Sequence, residues 1–238
     1  MTKIPTWQYD EMRHAGVDYA DAGVVAHYDE HHMRFHDYKK SAEDIISALG
    51  LRPEHTVIDM GCGTGAFVLH AAPRCKKVYA VDVSAPMLAY LKQKAEKDNI
   101  RNIEYHQAGF LTYEHQDEPV DAVVSVAALH HLPDFWKLVG LTRIADMLKP
   151  GGIMCLFDVV YSCSAREYKA AFEQWVSTTG ADLGKEFADE TVIHIRDEYS
   201  TCDWILEGML ERSGFTIREK KTLNTMPGTT YVCMRNKL

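Results

Sequence analysis

The sequence predicts an α/β fold: a seven-stranded, mostly parallel sheet with helices on both faces and an N-terminal helical cap. Three observations carry that prediction. From about residue 51, short β-branched apolar runs alternate with longer segments of helical period, the pattern of parallel strands joined by helical crossovers. One of the first runs leads directly into a cluster of glycines and then into another helical segment. The chain of 238 residues, 46% hydrophobic and 25% charged, is long enough for one large domain that buries ~70–75% of its unfolded surface.

The elements follow in order. In residues 1–50, Val24, Tyr28, His31 or His32, and Phe35 keep helical spacing, and a second helix from Ser41 carries Ile45, Ile46 and Leu49 before Gly50 stops it. Strands are expected at Thr56–Asp59, Lys77–Asp82, Asn102–His106, Val120–Val126 and Gly152–Val159. Between them, Met87, Leu88, Leu91 and Ala95 share one helical face. Leu138, Leu141, Ile144, Ala145 and Leu148 share another, on a helix that starts after Pro133 and ends at Pro150-Gly151-Gly152. Residues 161–199 exceed what a strand-to-helix connection needs, so they are read as an insert, a helix near Ala165–Ser177 plus a mobile segment, that makes substrate-specific contacts as a lid. Ser200-x-x-Asp203 reads as a capping box for a helix burying Trp204, Leu206, Met209 and Leu210. Gly214 closes it before strands at Phe215–Arg218 and Thr229–Met234. No Pro/Gly/Ser linker divides the chain. It reads as a single domain, 1–238, with a cap (1–50), a core (51–160), the insert (161–199) and a C-terminal helix with two strands (200–238).

Charge and cysteine usage narrow the partners. Lys+Arg is 26 against Asp+Glu 34, a net charge of −8, so a broad phosphate-tracking surface would oppose the overall field and nucleic acid is not an expected partner. The six cysteines are widely spread with no C-x-x-C, and the N-terminus lacks the apolar core of a signal peptide, so reduced thiols in a cytoplasmic protein are expected. No window approaches ~18 uncharged apolar residues, and no membrane span is expected. A homodimer is compatible with this composition.

The densest signal is Val57-Ile-Asp-Met-Gly-Cys-Gly-Thr-Gly-Ala-Phe67. Glycines at a strand-to-helix turn let a ligand approach backbone N–H groups. Gly61-x-Gly63-x-x-Ala66 also fits the dinucleotide fingerprint, and an NAD-dependent oxidoreductase is one reading of it. Asp59 separates the two ligand classes. A carboxylate two residues before the first glycine repels a pyrophosphate and attracts a ligand bearing an amino group, such as S-adenosylmethionine. Asp82, at the tip of the next strand, is placed to accept hydrogen bonds from both hydroxyls of an unphosphorylated ribose.

Asp59-Met-Gly-Cys-Gly-Thr-Gly65, Val81-Asp-Val-Ser-Ala-Pro-Met-Leu88, Val120-Asp-Ala-Val-Val-Ser-Val-Ala-Ala-Leu-His-His-Leu-Pro-Asp134 and Leu148-Lys-Pro-Gly-Gly-Ile153 occur in that order. Together they resemble the motifs of the class I S-adenosylmethionine-dependent methyltransferases over about residues 40–160. The Val-Ala-Ala-Leu-His-His-Leu-Pro stretch is similar to the ubiquinone/menaquinone C-methyltransferase-like group, which acts mostly on small molecules. The resemblance implies a Rossmann-like sheet with S-adenosylmethionine as cofactor and a small-molecule methyl acceptor. It implies that Gly61 and Gly63 lie against the methionine part, that Asp59 engages its amino group and that Asp82 takes the ribose hydroxyls. Val83 and Met87 would sandwich the adenine, and Gly65 and Val126 complete the cofactor positions. The chain departs from the family after the third strand, where an acidic residue often bonds the adenine amino group. Gln107-Ala-Gly-Phe-Leu111 has Gly109 there, which leaves adenine to backbone groups at Gly109 and Phe110 and to apolar packing.

Methyl transfer from a sulfonium is an in-line displacement in which the protein aligns donor and acceptor, and a base is needed only if the acceptor carries a proton. The candidates are His131 and His130, just past the fourth strand, with His131 favoured because it adjoins Leu132 and the Pro133 turn. Tyr28 of the Tyr28-Asp29 pair is a further candidate, similar to a Tyr-Asp pair that often precedes the core in this family. His32 and His36 stand at i, i+4, but third ligands from Asp158 or His131 would have to converge on them, and no metal set is assigned. Asp158 is a weaker pocket candidate, Glu167 is given no role, and Cys62 reads as a small residue that fits the loop. The readings competing with a small-molecule enzyme are a nucleic-acid or protein methyltransferase and a catalytically silent S-adenosylmethionine-binding regulatory protein.

Overall fold

Residues 5–13, 16, 29, 37–223 and 226–237 are described by the computed structural model of the chain. The first predicted helix of the cap lies outside them apart from Asp29, and so do Tyr28, His32 and His36. The second is α1 (Tyr38–Leu49), in which the Asp37 side chain accepts from the Lys40 N–H and Gly50 caps the C-terminus. The β-branched runs become β1 (Thr56–Met60), β2 (Lys77–Asp82), β3 (Ile103–Gln107), β4 (Val120–Val126) and β5 (Leu148–Tyr161), which pair with one another in parallel. Between them stand α2 (Val68–Ala71), α3 (Ala85–Lys97) and α4 (Asp134–Met147). Beyond β5 come α5 (Tyr168–Leu183), α6 (Lys185–Asp197), a two-residue β6 (Thr201–Cys202), α7 (Asp203–Arg212) and the antiparallel pair β7 (Phe215–Thr222) and β8 (Gly228–Arg235).

The sheet order is β3-β2-β1-β4-β5-β8-β7, with β6 paired to β5. The chain therefore reverses its direction of winding at β1 and β4, and the carboxyl ends of those two strands open the crevice where such sheets bind ligands. Alternation along the buried strands divides the core in two. Ile58 and Met60 face one layer with Leu141 and Ile144 of α4 and Leu206 and Leu210 of α7. Val57 faces the other with Ile46 of α1, Val68 of α2 and Leu91 of α3. Helices thus cover both faces, as the sequence predicts. None of the described helices is long and apolar enough to cross a membrane.

Four local expectations are corrected. The sheet gains an eighth strand, because Thr201–Cys202 pairs with Val160–Tyr161. Leu148 leaves the helical face to which its spacing assigns it and opens β5, where it partners Val120. The strand then runs through Pro150-Gly151-Gly152 by a register shift at Val120/Ala122. The segment read as mobile after the insert's first helix is α6, which packs as a hairpin on α5 by burying Phe187, Thr191 and Trp175. Finally, the Ser200 capping box does not form. Pairing of β6 delays the helix to Asp203, Cys202 becomes its N-cap without a side-chain bond, and Ser200 Oγ is hydrogen-bonded to His194 Nε2 at 2.7 Å. In that register Leu206 and Leu210 face the core and Trp204 is 70% exposed.

Candidate active site

The glycine loop is stapled to the tip of β2, where the Gly61 and Cys62 N–H groups donate to the Val81 carbonyl at 2.8 and 3.0 Å. Gly61 has φ of 76°, and a Cβ there would lie 2.3 Å from the Ala128 Cβ, so both conformation and space demand glycine. Gly63, at φ of 51°, faces open space. Asp82 ends β2 with its carboxylate braced between loop and helix. Oδ2 accepts the Gly63 N–H at 2.7 Å and Oδ1 the Ser84 N–H at 2.8 Å, while Ser84 Oγ accepts the Met87 N–H and caps α3.

A cavity opens over these groups at the carboxyl edge of the sheet. Gly61, Gly63, Asp82, Val83 and Met87 line it together with Gly109, Phe110, Val126 and His131. Asp59, Gly65 and His130 do not line it. Asp59 is buried at 3% exposure behind the loop, and burial, reinforced by the neighbouring Asp82, pushes its carboxyl up to about 8. Gly65 packs on Leu91. Tyr28 lies outside the described residues.

Sequence reasoning missed four contributors. Glu11, nearly buried, reaches from the N-terminal segment into the cavity wall. Its carboxylate accepts the Leu111 N–H at 3.0 Å and the Thr112 hydroxyl at 2.7 Å, and it fills the space that a side chain at Gly109 would occupy. Burial raises the Glu11 pKa, against the lowering effect of those bonds. Asp29 ties the same region to the cofactor loop, accepting from Thr64 Oγ1 at 2.5 Å and from Lys94 Nζ at 2.6 Å. Ala127, on the cavity wall after β4, holds φ at 51°, a strained value for a residue with a Cβ and a common mark of functional turns. The fourth is Glu198. In the sequence, Gly109, a missing side chain, signals Glu11, and the Tyr28-Asp29 pair signals the place of Asp29 while drawing attention to the tyrosine.

His130 is buried beneath the wall. Its Nδ1 lies 2.5 Å from Asp158 Oδ1, its backbone N–H donates to Asp158 Oδ2 at 3.0 Å, and its Nε2 lies 3.3 Å from Glu198 Oε2. Burial by itself would push this imidazole down, but Asp158 and Glu198 outweigh it and hold the pKa above the ordinary value. His131 behaves oppositely. Burial, and then the neighbouring His130 whose ring centroid is 4.4 Å away, lower it to about 4. A neutral imidazole at the cavity wall therefore stands beside an imidazole held by two carboxylates, an arrangement suited to meeting a polar acceptor.

A family profile described as a methyltransferase domain matches residues 57–152. An uncharacterized methyltransferase of Geobacillus kaustophilus (strain HTA426) is 30% identical over 192 residues, 81% of this chain and 82% of the relative. Among solved structures, an S-adenosylmethionine-dependent methyltransferase from Clostridium acetobutylicum superimposes with a TM-score of 0.67 at 13% identity, over 90% of this chain and 99% of that one. Magnesium protoporphyrin IX methyltransferase from Synechocystis, with SAH bound, gives 0.60 at 16% identity over 83% of each chain. At those identities the two structural likenesses speak to the fold.

Proposed function

The chain belongs to the class I S-adenosylmethionine-dependent methyltransferases, and from that premise we propose that it moves the methyl group to a small-molecule acceptor lying against His131. S-adenosylmethionine is the cofactor. In this reading its methionine end rests on Gly61 and Gly63, its ribose hydroxyls on Asp82, and its adenine between Val83, Met87 and Phe110. The His131 and Leu132 side of the cavity would hold the acceptor's nucleophile facing the cofactor. When bound, the cofactor would supply an activated methyl group, with a neutral thioether as leaving group for the new bond to the acceptor. The sulfonium's positive charge already activates the methyl group, so the chain's contribution is alignment and exclusion of water.

The observation that carries the acceptor class is the charge of the wall. Among the described lining residues only Arg13 is basic, while Glu11 and Asp82 are acidic, which suits a metabolite and not a polyphosphate strand. The insert, residues 161–199, is in this reading the lid on the acceptor side, since the Tyr199 N–H donates to the His130 carbonyl at 2.9 Å. The Val-Ala-Ala-Leu-His-His-Leu-Pro stretch supports the ubiquinone/menaquinone-like group of small-molecule enzymes, and the free cysteines suit a reducing cytoplasm.

The test is to incubate the full chain with methyl-labelled cofactor and, in parallel, a metabolite extract, RNA, DNA and a protein lysate. Label is expected in the metabolite fraction. Label confined to a polymer fraction overturns the acceptor class, and cofactor binding without transfer to any fraction supports the silent regulatory protein.

A further inference from the structure

We propose that His130, His131 and Glu198 form a site for one divalent transition-metal cation of the zinc or cobalt class, set in the acceptor side of the cavity wall. One ligand atom from each lies within 4.8 Å of the others. A cation with bonds of ~2.1 Å holds its ligands ~3–4 Å apart, and the pair His130 Nε2 and Glu198 Oε2, at 3.3 Å, already has that spacing. Two imidazoles and a carboxylate make a donor set with open positions for water or substrate, the composition of catalytic rather than structural zinc sites.

Each inner ligand is held from behind. Asp158 takes His130 Nδ1, which turns Nε2 toward Glu198, in the carboxylate–histidine arrangement that orients metal-binding imidazoles. Asp158 is itself fixed by the N–H groups of His130 and Val159. His194 Nδ1 stands in ion-pair contact with Glu198 Oε2, and the other nitrogen of that ring is bonded to Ser200. Lys137, a buried cation whose charge acts on His130, is engaged by Asp134 and the Tyr199 carbonyl.

Glu198 adds a second observation. Its side chain is only 5% exposed, and its Oε2 faces His130 Nε2 and His194 Nδ1 at once, so one buried carboxylate oxygen is the point on which the imidazoles converge and a cation entering there takes the place of a shared proton. Because His131 lines the cavity, the open coordination position faces the acceptor. An acceptor hydroxyl bound there would release its proton to water more readily, since a coordinated oxygen is more acidic. That role rests on the proposed function, whereas occupancy of the site does not. The histidine pair that suggests a metal in the sequence, His32 and His36, lies outside the described residues.

The experiment uses the full chain, treated with chelator, desalted and titrated with Co2+ while the visible d–d absorption is followed. One cobalt per chain is expected, with Glu198→Gln and His131→Gln each weakening binding ~10-fold or more. Glu198→Gln is isosteric, and its thermal melt shows whether it is folded. If it is not, His131→Gln at the cavity wall reads the same band. No saturable band overturns the site and leaves a proton-held cluster. A band unmoved by either substitution, or one lost on replacing His32 and His36, also overturns it. Calorimetry with S-adenosylhomocysteine on the same samples separates the two claims. Normal cofactor binding without a cobalt band rejects the metal alone, whereas absent cofactor binding rejects the methyltransferase site.

Discussion

At the scale of single residues, Asp82 and Glu11 show what local sequence reveals and what it hides. Asp82 was legible because a strand, a tight turn and a strand-end acid are local features. Its carboxylate, braced by the Gly63 and Ser84 N–H groups, should lose ~1–3 kcal/mol of cofactor binding in Asp82→Ala, a Kd raised ~5–150-fold by calorimetry. Glu11 was not legible, because its bond to the Leu111 N–H spans 100 residues of sequence. In Glu11→Ala that N–H is left buried and unpaired, so the denaturant midpoint should fall by the equivalent of ~1–3 kcal/mol. Asp59 supplies a pH dependence. With its carboxyl pushed up to about 8 it is largely protonated in the cofactor-free protein at neutral pH. A cofactor ammonium nearby favours the anion, so binding releases a proton and affinity should tighten as pH rises from ~6 toward ~7.7, where the α-amino group begins to titrate. Without cofactor the sign is the reverse. A carboxyl raised above its unfolded value of ~3.9 stabilises the fold below that pH and loses the contribution as pH climbs through 8. Titrating Asp59→Asn alongside the wild type checks both statements, since the variant's Kd and, without cofactor, its denaturant midpoint should each be flatter with pH.

Elements divide in the same way. The α3 face of Met87, Leu88, Leu91 and Ala95 is buried as its spacing predicts, because one helical period read against one sheet is enough to place it. Leu91 is fully buried and packs on Gly65, so Leu91→Ala should cost ~2–5 kcal/mol in urea unfolding, a loss well below ~1 kcal/mol showing that the loop collapses into the gap. Where sequence reading went astray, a tertiary partner overrode a local pattern. Leu148 suits a helix by spacing but is claimed by Val120 across the sheet. Ser200 suits a cap but is drawn to His194, and β6 pairs before α7 can start. The second helix of the insert was hidden because its buried residues, Phe187 and Thr191, are few among many charged ones.

Over the whole molecule, an excess of acidic side chains sets the long-range field. The protein should pass through a heparin column at ~0.15 M salt, where a phosphate-tracking surface would be retained, and retention would count against a metabolite acceptor. By itself the sequence determined the α/β class, the parallel strands of the core, the glycine loop and Asp82, and with them the cofactor. Each depends on periodicity or on a turn confined to a few consecutive residues, so local sterics and burial suffice to specify it. The tertiary structure alone decided that Glu11 fills the gap at Gly109, that Asp29 ties the N-terminal segment to the loop, and that Glu198 meets His130 and His131. Those side chains lie far apart along the chain, and only the sheet order and the packing of the insert bring them within bonding distance.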